Sequence, residues 1–303
     1  MTLEGPTTGP AVAPGPTDTA VVVVNYRTWE LTRAAVESVL PEPEVLEVVV
    51  VDNASGDGSP SLLRTSLADP RVRIIESGRN SGFGCGVNIG VANSSASLVF
   101  ILNSDAIACP GSLGLLATAM MADATAGIIS PSVYLGDGRR LQQATFGALP
   151  TRHELLLGRW KVNGERGPSA GDTRPEWVSG VAMLIRRTDF CAVGGFDEAF
   201  DMYFEDLDLC RRVRATGKGI RRIPEAGVVH RVGESSRSKH DQKRRFHASK
   251  QVYAQRLGAT PAELRWISLT GGIETGLAGV RQRFAKRTAA PPPPTPRGAE
   301  GLW

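Results

Sequence analysis

Cysteine is scarce in this chain. The four present, Cys85, Cys109, Cys191 and Cys210, share no C-x-x-C spacing. That excludes a paired-thiolate zinc site and a disulfide framework, and leaves reduced thiols as the simpler reading. Aromatic residues make up only 6% of the chain, so the core has to be built from Val, Leu, Ile and Ala. No segment approaches the roughly 20 apolar residues of a membrane span. The first residues also lack the basic start and apolar run of a secretory signal. A cytoplasmic protein is expected, peripheral at most to the inner face of the plasma membrane. Glycine is missing from residues 25–28, the turn where a dinucleotide-binding domain carries its fingerprint. No internal repeat is present.

What the chain does have is ordinary globular material. Hydrophobic residues make up 41% and charged residues 22% of its 303 positions, enough for one large α/β domain. Residues 1–18 are rich in Pro, Gly and Thr and read as a disordered leader, and residues 289–303, with four consecutive prolines, as a disordered tail. Between them, residues 19–257 read as the main domain, with a first half over 19–125 and a second over 126–257. Residues 20–25, 45–51, 72–76 and 98–102 are apolar, β-branched runs of buried strands. Residues 29–40, 59–67, 84–92 and 110–122 have helical character. This alternation predicts an α/β fold with a mostly parallel central sheet flanked by helices.

The second half is less regular. Strands are predicted over 128–135, 141–144 and 178–186, with another ending at 228–230. A helix is predicted over 205–215, a long loop with a short helix over 151–176, and a polar, lid-like loop over 233–241. Residues 258–288 read as a C-terminal amphipathic helical extension broken at Gly271 and Gly272. The net charge is +4, with much of the basic excess at 211–214, 221–222, 243–245 and 281–287. Such residues form either a basic surface for anionic lipid or phosphate, or a solvated face. The extension either lies peripherally on a membrane or packs on the domain. No nucleic-acid recognition motif accompanies the charge, and no nucleic-acid partner is expected.

Three predicted strands end in polar residues that a core does not need: Asn25 to Arg27, Asp52 and Asn53, and Asn103 to Asp105. In open parallel sheets, ligands bind beyond the carboxyl ends of the strands. Singly, Asp52 or Asp105 reads as a turn former or cap; together the set describes a polar crevice. Asp105 suits a hard cation such as Mg²⁺ or Mn²⁺, which takes one or two carboxylates plus substrate phosphates. Gly82, Gly84 and Gly86 allow close backbone approach at a helix start, where free N–H groups favour phosphate. Six acids crowd residues 197–208. A helix N-terminus accounts for two or three of them, and Asp206, beside Phe204 and Leu207, has the enclosed setting of a general base. His230, at a strand end beyond the acids, reads equally as structural or functional.

The segments VVVVNYRTW, VVVDNASGDGS, RNSGFGCGVNIG, LNSDA, VSGVAMLIRR, GGFDEAFDMYFEDLDL and VVHRVGESSR together resemble the family 2 glycosyltransferases of the GT-A fold, nearest to their rhamnosyltransferase-like branch. The resemblance spans about residues 20 to 257. It implies an inverting transferase that moves a sugar, rhamnose from dTDP-rhamnose as the best single assignment, from a nucleotide-sugar donor to a lipid-linked or polysaccharide acceptor in bacterial cell-envelope glycan synthesis. It implies that Asp52 contacts the nucleobase with Asn25 and Arg27 near the nucleoside. Asn80, Gly82 and Gly84 would line the donor pocket, and Asn103 and Asp105 occupy the D-x-D position. The resemblance makes Asp105 and His230 the ligands of a divalent metal, Mg or Mn. It makes Asp206 the catalytic base assisted by Glu205, and places Gly180 and Asp208 on the acceptor side. Asn103 replaces the first aspartate of the motif. Two other readings are a nucleotidyltransferase, which lacks its basic glycine-rich signature here, and a non-catalytic nucleotide-sugar-binding scaffold.

Overall fold

A computed structural model describes residues 18–158, 160, 173–231 and 239–272. The leader at 1–17, the Pro-rich tail, residues 273–288 of the extension, residues 159 and 161–172 of the expected long loop, and residue 232 with 233–238 of the expected lid lie outside the described residues. In chain order the elements are β1 (Thr19–Asn25), α1 (Trp29–Val39), β2 (Val45–Asp52), α2 (Ser59–Ser66), β3 (Val72–Glu76), α3 (Phe83–Ala92), β4 (Leu98–Asn103), β5 (Ala106–Ala108) and α4 (Ser112–Ala122). They continue as β6 (Ala126–Leu135), β7 (Phe146–Gly147), α5 (Arg152–Leu157), β8 (Trp177–Val178), β9 (Ala182–Arg186), α6 (Arg187–Ala192), α7 (Glu205–Ala215), β10 (Gly219–His230) and α8 (Lys239–Arg256). Residues 261–272 are also helical. Among the described residues, no helix is long and apolar enough to cross a membrane.

Eight strands form one mixed sheet in the order β3-β2-β1-β4-β9-β6-β10-β5. The β2/β3, β1/β2, β1/β4 and β6/β10 pairs are parallel, while β9 runs antiparallel to β4 and β6, and β5 antiparallel to β10. The unbroken valine runs follow from burial on both faces. Val21 and Val23 join one core cluster, Val22 and Val24 the other. Register then sets the crevice: Asn25 pairs with Asp52 and Val24 with Asn103, so three polar strand ends lie side by side.

Glycines let α3 lie close on the sheet. A Cβ on Gly86 would stand 2.8 Å from Val24, and one on Gly90 would overlap Val22. The second half departs from expectation. Residues 141–144 form no strand; Leu141 makes a lone bridge to Tyr134, and pairing resumes at β7. The strand predicted over 178–186 is broken into β8 and β9, and the break frees the Gly180 N–H for a side chain. The predicted lid over 233–241 is helical from Lys239. The basic run does not form one surface: Arg222 is 1% exposed and stacks over Phe146 at 4.5 Å. In the extension, Ile267 is buried in the second core cluster and the Trp266 indole donates to the Leu156 carbonyl. Its described part therefore packs on the domain.

Gly90→Val should lower stability by about 1–3 kcal/mol through overpacking against Val22, read as a lower urea midpoint. An unchanged midpoint would mean that α3 does not sit on β1 as described.

Candidate active site

The strand ends open into a cavity of about 620 Å³. Tyr26, Asn53, Asn80 and Gly82 line one end, and Asn103, Asp105, Gln142 and His230 the middle. Trp160, Trp177, Gly180, Glu205, Asp206 and Phe246 line the other.

Beneath the first end lies a saturated polar network. Asn25 Nδ2 donates to Asp52 Oδ1 at 2.7 Å and to Ser55 Oγ at 3.1 Å, Ser55 N donates to Asp52 Oδ2 at 3.0 Å, and Thr32 Oγ1 donates to Asn25 Oδ1 at 2.7 Å. Asn25 is fully buried and Asp52 is 2% exposed. Neither is among the residues that line the cavity, and Asp52 sits beneath its first end with three donors on its carboxylate. Arg27 has φ +58° and its Nε donates to the Ser55 carbonyl, which holds Tyr26 and Thr28 at the rim.

Asn53, expected among the polar strand ends, lines the cavity directly after Asp52. Its amide donates to Asn80 Oδ1 at 3.1 Å and the Gly82 carbonyl at 2.9 Å, and its oxygen accepts from Ser81 N at 3.2 Å. It thereby clamps the loop between β3 and α3. Gly82 has φ +91°, and a Cβ there would meet the Asp201 carbonyl at 2.5 Å; this close approach brings the acidic segment alongside that loop. Gly84 does not line the cavity. Its missing side chain admits Phe196 instead, at 2.8 Å from a built Cβ.

Antiparallel pairing of β5 with β10 places His230 opposite Ala106. His230 Nε2 lies 2.9 Å from Asp105 Oδ1 and Nδ1 lies 2.8 Å from Gln142 Oε1. A carboxylate and an imidazole oriented by a second partner fit one edge of a divalent-cation site. No cluster of three or more His, Cys, Asp or Glu occurs among the described residues, so these two side chains would hold a metal together with substrate phosphate and water. Gln142 carried no sequence signal, because its partner lies 88 positions away.

At the third region, Tyr203 and Phe204 both have positive φ, +71° and +66°. Such backbone costs about 1–3 kcal/mol per residue and persists where packing over-determines it. Here Phe204 is held among Phe246, Tyr253 and Trp160, with ring centroids 5.1, 5.5 and 5.7 Å away. The turn starts α7 with Glu205 and Asp206 facing the cavity. Asp206 Oδ2 accepts from Gly180 N at 3.0 Å and Oδ1 from Leu207 N at 2.8 Å. Burial raises its carboxyl above the usual range, and these N–H groups partly oppose the rise. Glu205 is raised further, first by burial and then by the neighbouring Asp206 charge. Asp208 points elsewhere. It is 1% exposed and bound by Arg211 at 2.7 Å and Arg212 at 2.6 Å, so it anchors the helix and is not among the residues that line the cavity.

Residues 20–190 match the family model described as glycosyl transferase family 2. The chain belongs to that family. This glycosyltransferase is 29% identical over 284 residues to N-acetylglucosaminyl-diphospho-decaprenol L-rhamnosyltransferase of Mycobacterium tuberculosis, covering 84% of this chain and 89% of that one. It is 33% identical over 93 residues to the rhamnosyltransferase WbbL of Escherichia coli, across 31% of this chain and 35% of the relative. The mannosyltransferase PcManGT from Pyrobaculum calidifontis, solved with GDP-Man and Mn²⁺, shares the fold at TM-score 0.58 and 19% identity, covering 92% of this chain and 79% of that one. GalNAc-T7, solved with UDP, GalNAc and Mn²⁺, aligns at TM-score 0.56 and 16% identity over 71% of this chain and 44% of its own. The family 2 enzyme therefore has the GT-A architecture that its motifs imply.

Asp208→Asn should cost about 1–3 kcal/mol, because it removes the counter-charge of two partly exposed arginines and weakens their hydrogen bonds to a buried side chain. Urea denaturation measures the loss. Nucleotide-sugar binding by the folded fraction should persist, and a selective loss of acceptor binding at full stability would return Asp208 to the site.

Proposed function

We propose that this glycosyltransferase moves rhamnose from dTDP-rhamnose to a hydroxyl of a lipid-linked acceptor, with inversion at the anomeric carbon. The observation that carries the reading is Asp206, a half-buried carboxylate held by two backbone N–H groups and facing the same cavity as Asp105 and His230. The sugar and acceptor rest on the names of the mycobacterial and Escherichia coli relatives.

In this reading Asp206 accepts the proton of the attacking hydroxyl. The freed oxygen bonds to the anomeric carbon from one side, while the bond to the diphosphate breaks on the other and leaves its electron pair on the phosphate oxygen. A base on one wall and a phosphate-facing pair on another suit direct displacement. Asp105 and His230 would hold a divalent cation, Mn²⁺ or Mg²⁺, which when bound supplies positive charge for the departing diphosphate. Asn53 and Asn80 hold the donor loop, and Tyr26 lies at its rim. A lipid-linked acceptor brings the enzyme to the inner membrane surface.

Donor binding and turnover across a panel of nucleotide-sugars, with Mn²⁺ or Mg²⁺, tests the reading. dTDP-rhamnose should bind best. Asp206→Asn should keep donor affinity and reduce kcat about 10²–10⁴-fold. Binding of a different donor would reassign the sugar, and no binding by any donor with either metal would sink the donor site.

A further inference from the structure

Two carboxylates share one wall of the cavity, and the displacement needs only one of them to take a proton. Asp206 is equipped to carry charge, because Gly180 and Leu207 each donate a backbone N–H to it. Glu205 is not. It is 8% exposed, lines the cavity, and its Oε2 has no hydrogen-bond partner.

The charged groups around Glu205 do not compensate it. On α7 its neighbour is Asp206, while Asp208 is neutralised by Arg211 and Arg212. The preceding turn brings Asp201 and the Tyr203 phenol, and both Asp201 and Asp206 disfavour charge on Glu205. From α8, Arg245 Nη1 is engaged with Asp201 at 2.8 Å, and the His247 ring packs against Gly271. A second anion in this corner would be buried beside like charges with no cation of its own among the described residues. Adjacent carboxylates in such a setting separate into one charged and one neutral group, and the geometry selects Asp206 as the charged one.

We propose that Glu205 is kept as a neutral carboxylic acid whose O–H donates to an acceptor oxygen next to the hydroxyl that Asp206 deprotonates. The pair then presents one acceptor and one donor side by side. The ligand chemistry that fits is a sugar ring with two vicinal oxygen functions: the attacking hydroxyl, and a neighbouring hydroxyl or N-acyl carbonyl. Glu205 keeps its proton throughout; the proton lost from the acceptor goes to Asp206. The inference rests on the reading of Asp206 as the base.

Infrared spectroscopy of the ligand-free enzyme tests the protonation without any substrate. Wild type at neutral pH should show the carbonyl band of a protonated carboxyl, absent in E205Q and lost as pH is raised. Its absence at neutral pH in wild type overturns the proposal whatever sugar is transferred, and its presence stands even if the donor panel fails. Kinetics with dTDP-rhamnose and a short-chain N-acetylglucosaminyl-diphospho-prenol give the second measurement. E205A should raise the acceptor KM about 10–100-fold with the donor KM unmoved, and E205Q, which keeps a neutral N–H donor, should recover most of that loss. Wild-type turnover should rise as the pair loses its first proton and fall as it loses the second, and the alkaline fall should vanish in E205Q. Equal losses in E205Q and E205A, with both folded by urea denaturation, count against the proposal.

Discussion

The desolvated ladder β2-β1-β4 is the constraint on which the rest of the molecule depends. Val21 to Val24 are buried on both faces of the sheet, and a one-residue slip in this ladder would exchange every side chain between two filled cores. The register is therefore fixed, and with it the level at which the apolar runs end. Asn25, Asp52 and Asn103 emerge there together. The polar network around Asp52 and Ser55 then consumes its own donors and acceptors, and becomes a rigid floor on which rim residues stand.

On that floor the second half of the chain adds the reactive groups by three separate devices. Antiparallel pairing of β10 with β5 brings His230 to Asp105 across 125 positions. Interruption of the strand between Val178 and Ala182 turns the Gly180 N–H onto Asp206. The consecutive positive φ angles at Tyr203 and Phe204, held by an aromatic cluster, aim the first turn of α7 into the cavity. The last two depart from regular structure, and all three act on residues that line the cavity.

The acidic segment shows how similar residues divide by environment. Asp208 is buried against two arginines and stiffens the helix. Asp206 is buried against two N–H groups and retains capacity for a proton. Glu205 is buried beside the Asp206 and Asp201 charges, with its own backbone N–H as the one opposing influence, and its Oε2 has no partner among the described residues. All three lie within four positions, so no count of acids along the chain separates them. Tertiary partners do, because Glu205 and Asp206 line the cavity while Asp208 is held by Arg211 and Arg212.

The sequence by itself determined the α/β alternation, the buried strands of the first half and the level of their polar ends, because solvation preferences with periods of 2 and 3.6 are written locally. Its motifs also carried the family and drew attention to Asp105, Asp206 and His230. Only the tertiary structure decided that Asp52 and Asn25 support the cavity without lining it, that Gly84 packs against Phe196, and that Asp208 belongs to a charge cluster. It alone brought in Gln142 and the α8 residues Arg245 and Phe246. Those outcomes turn on which groups meet across tens of positions and which are denied water there, and neither is a property of any short stretch of chain.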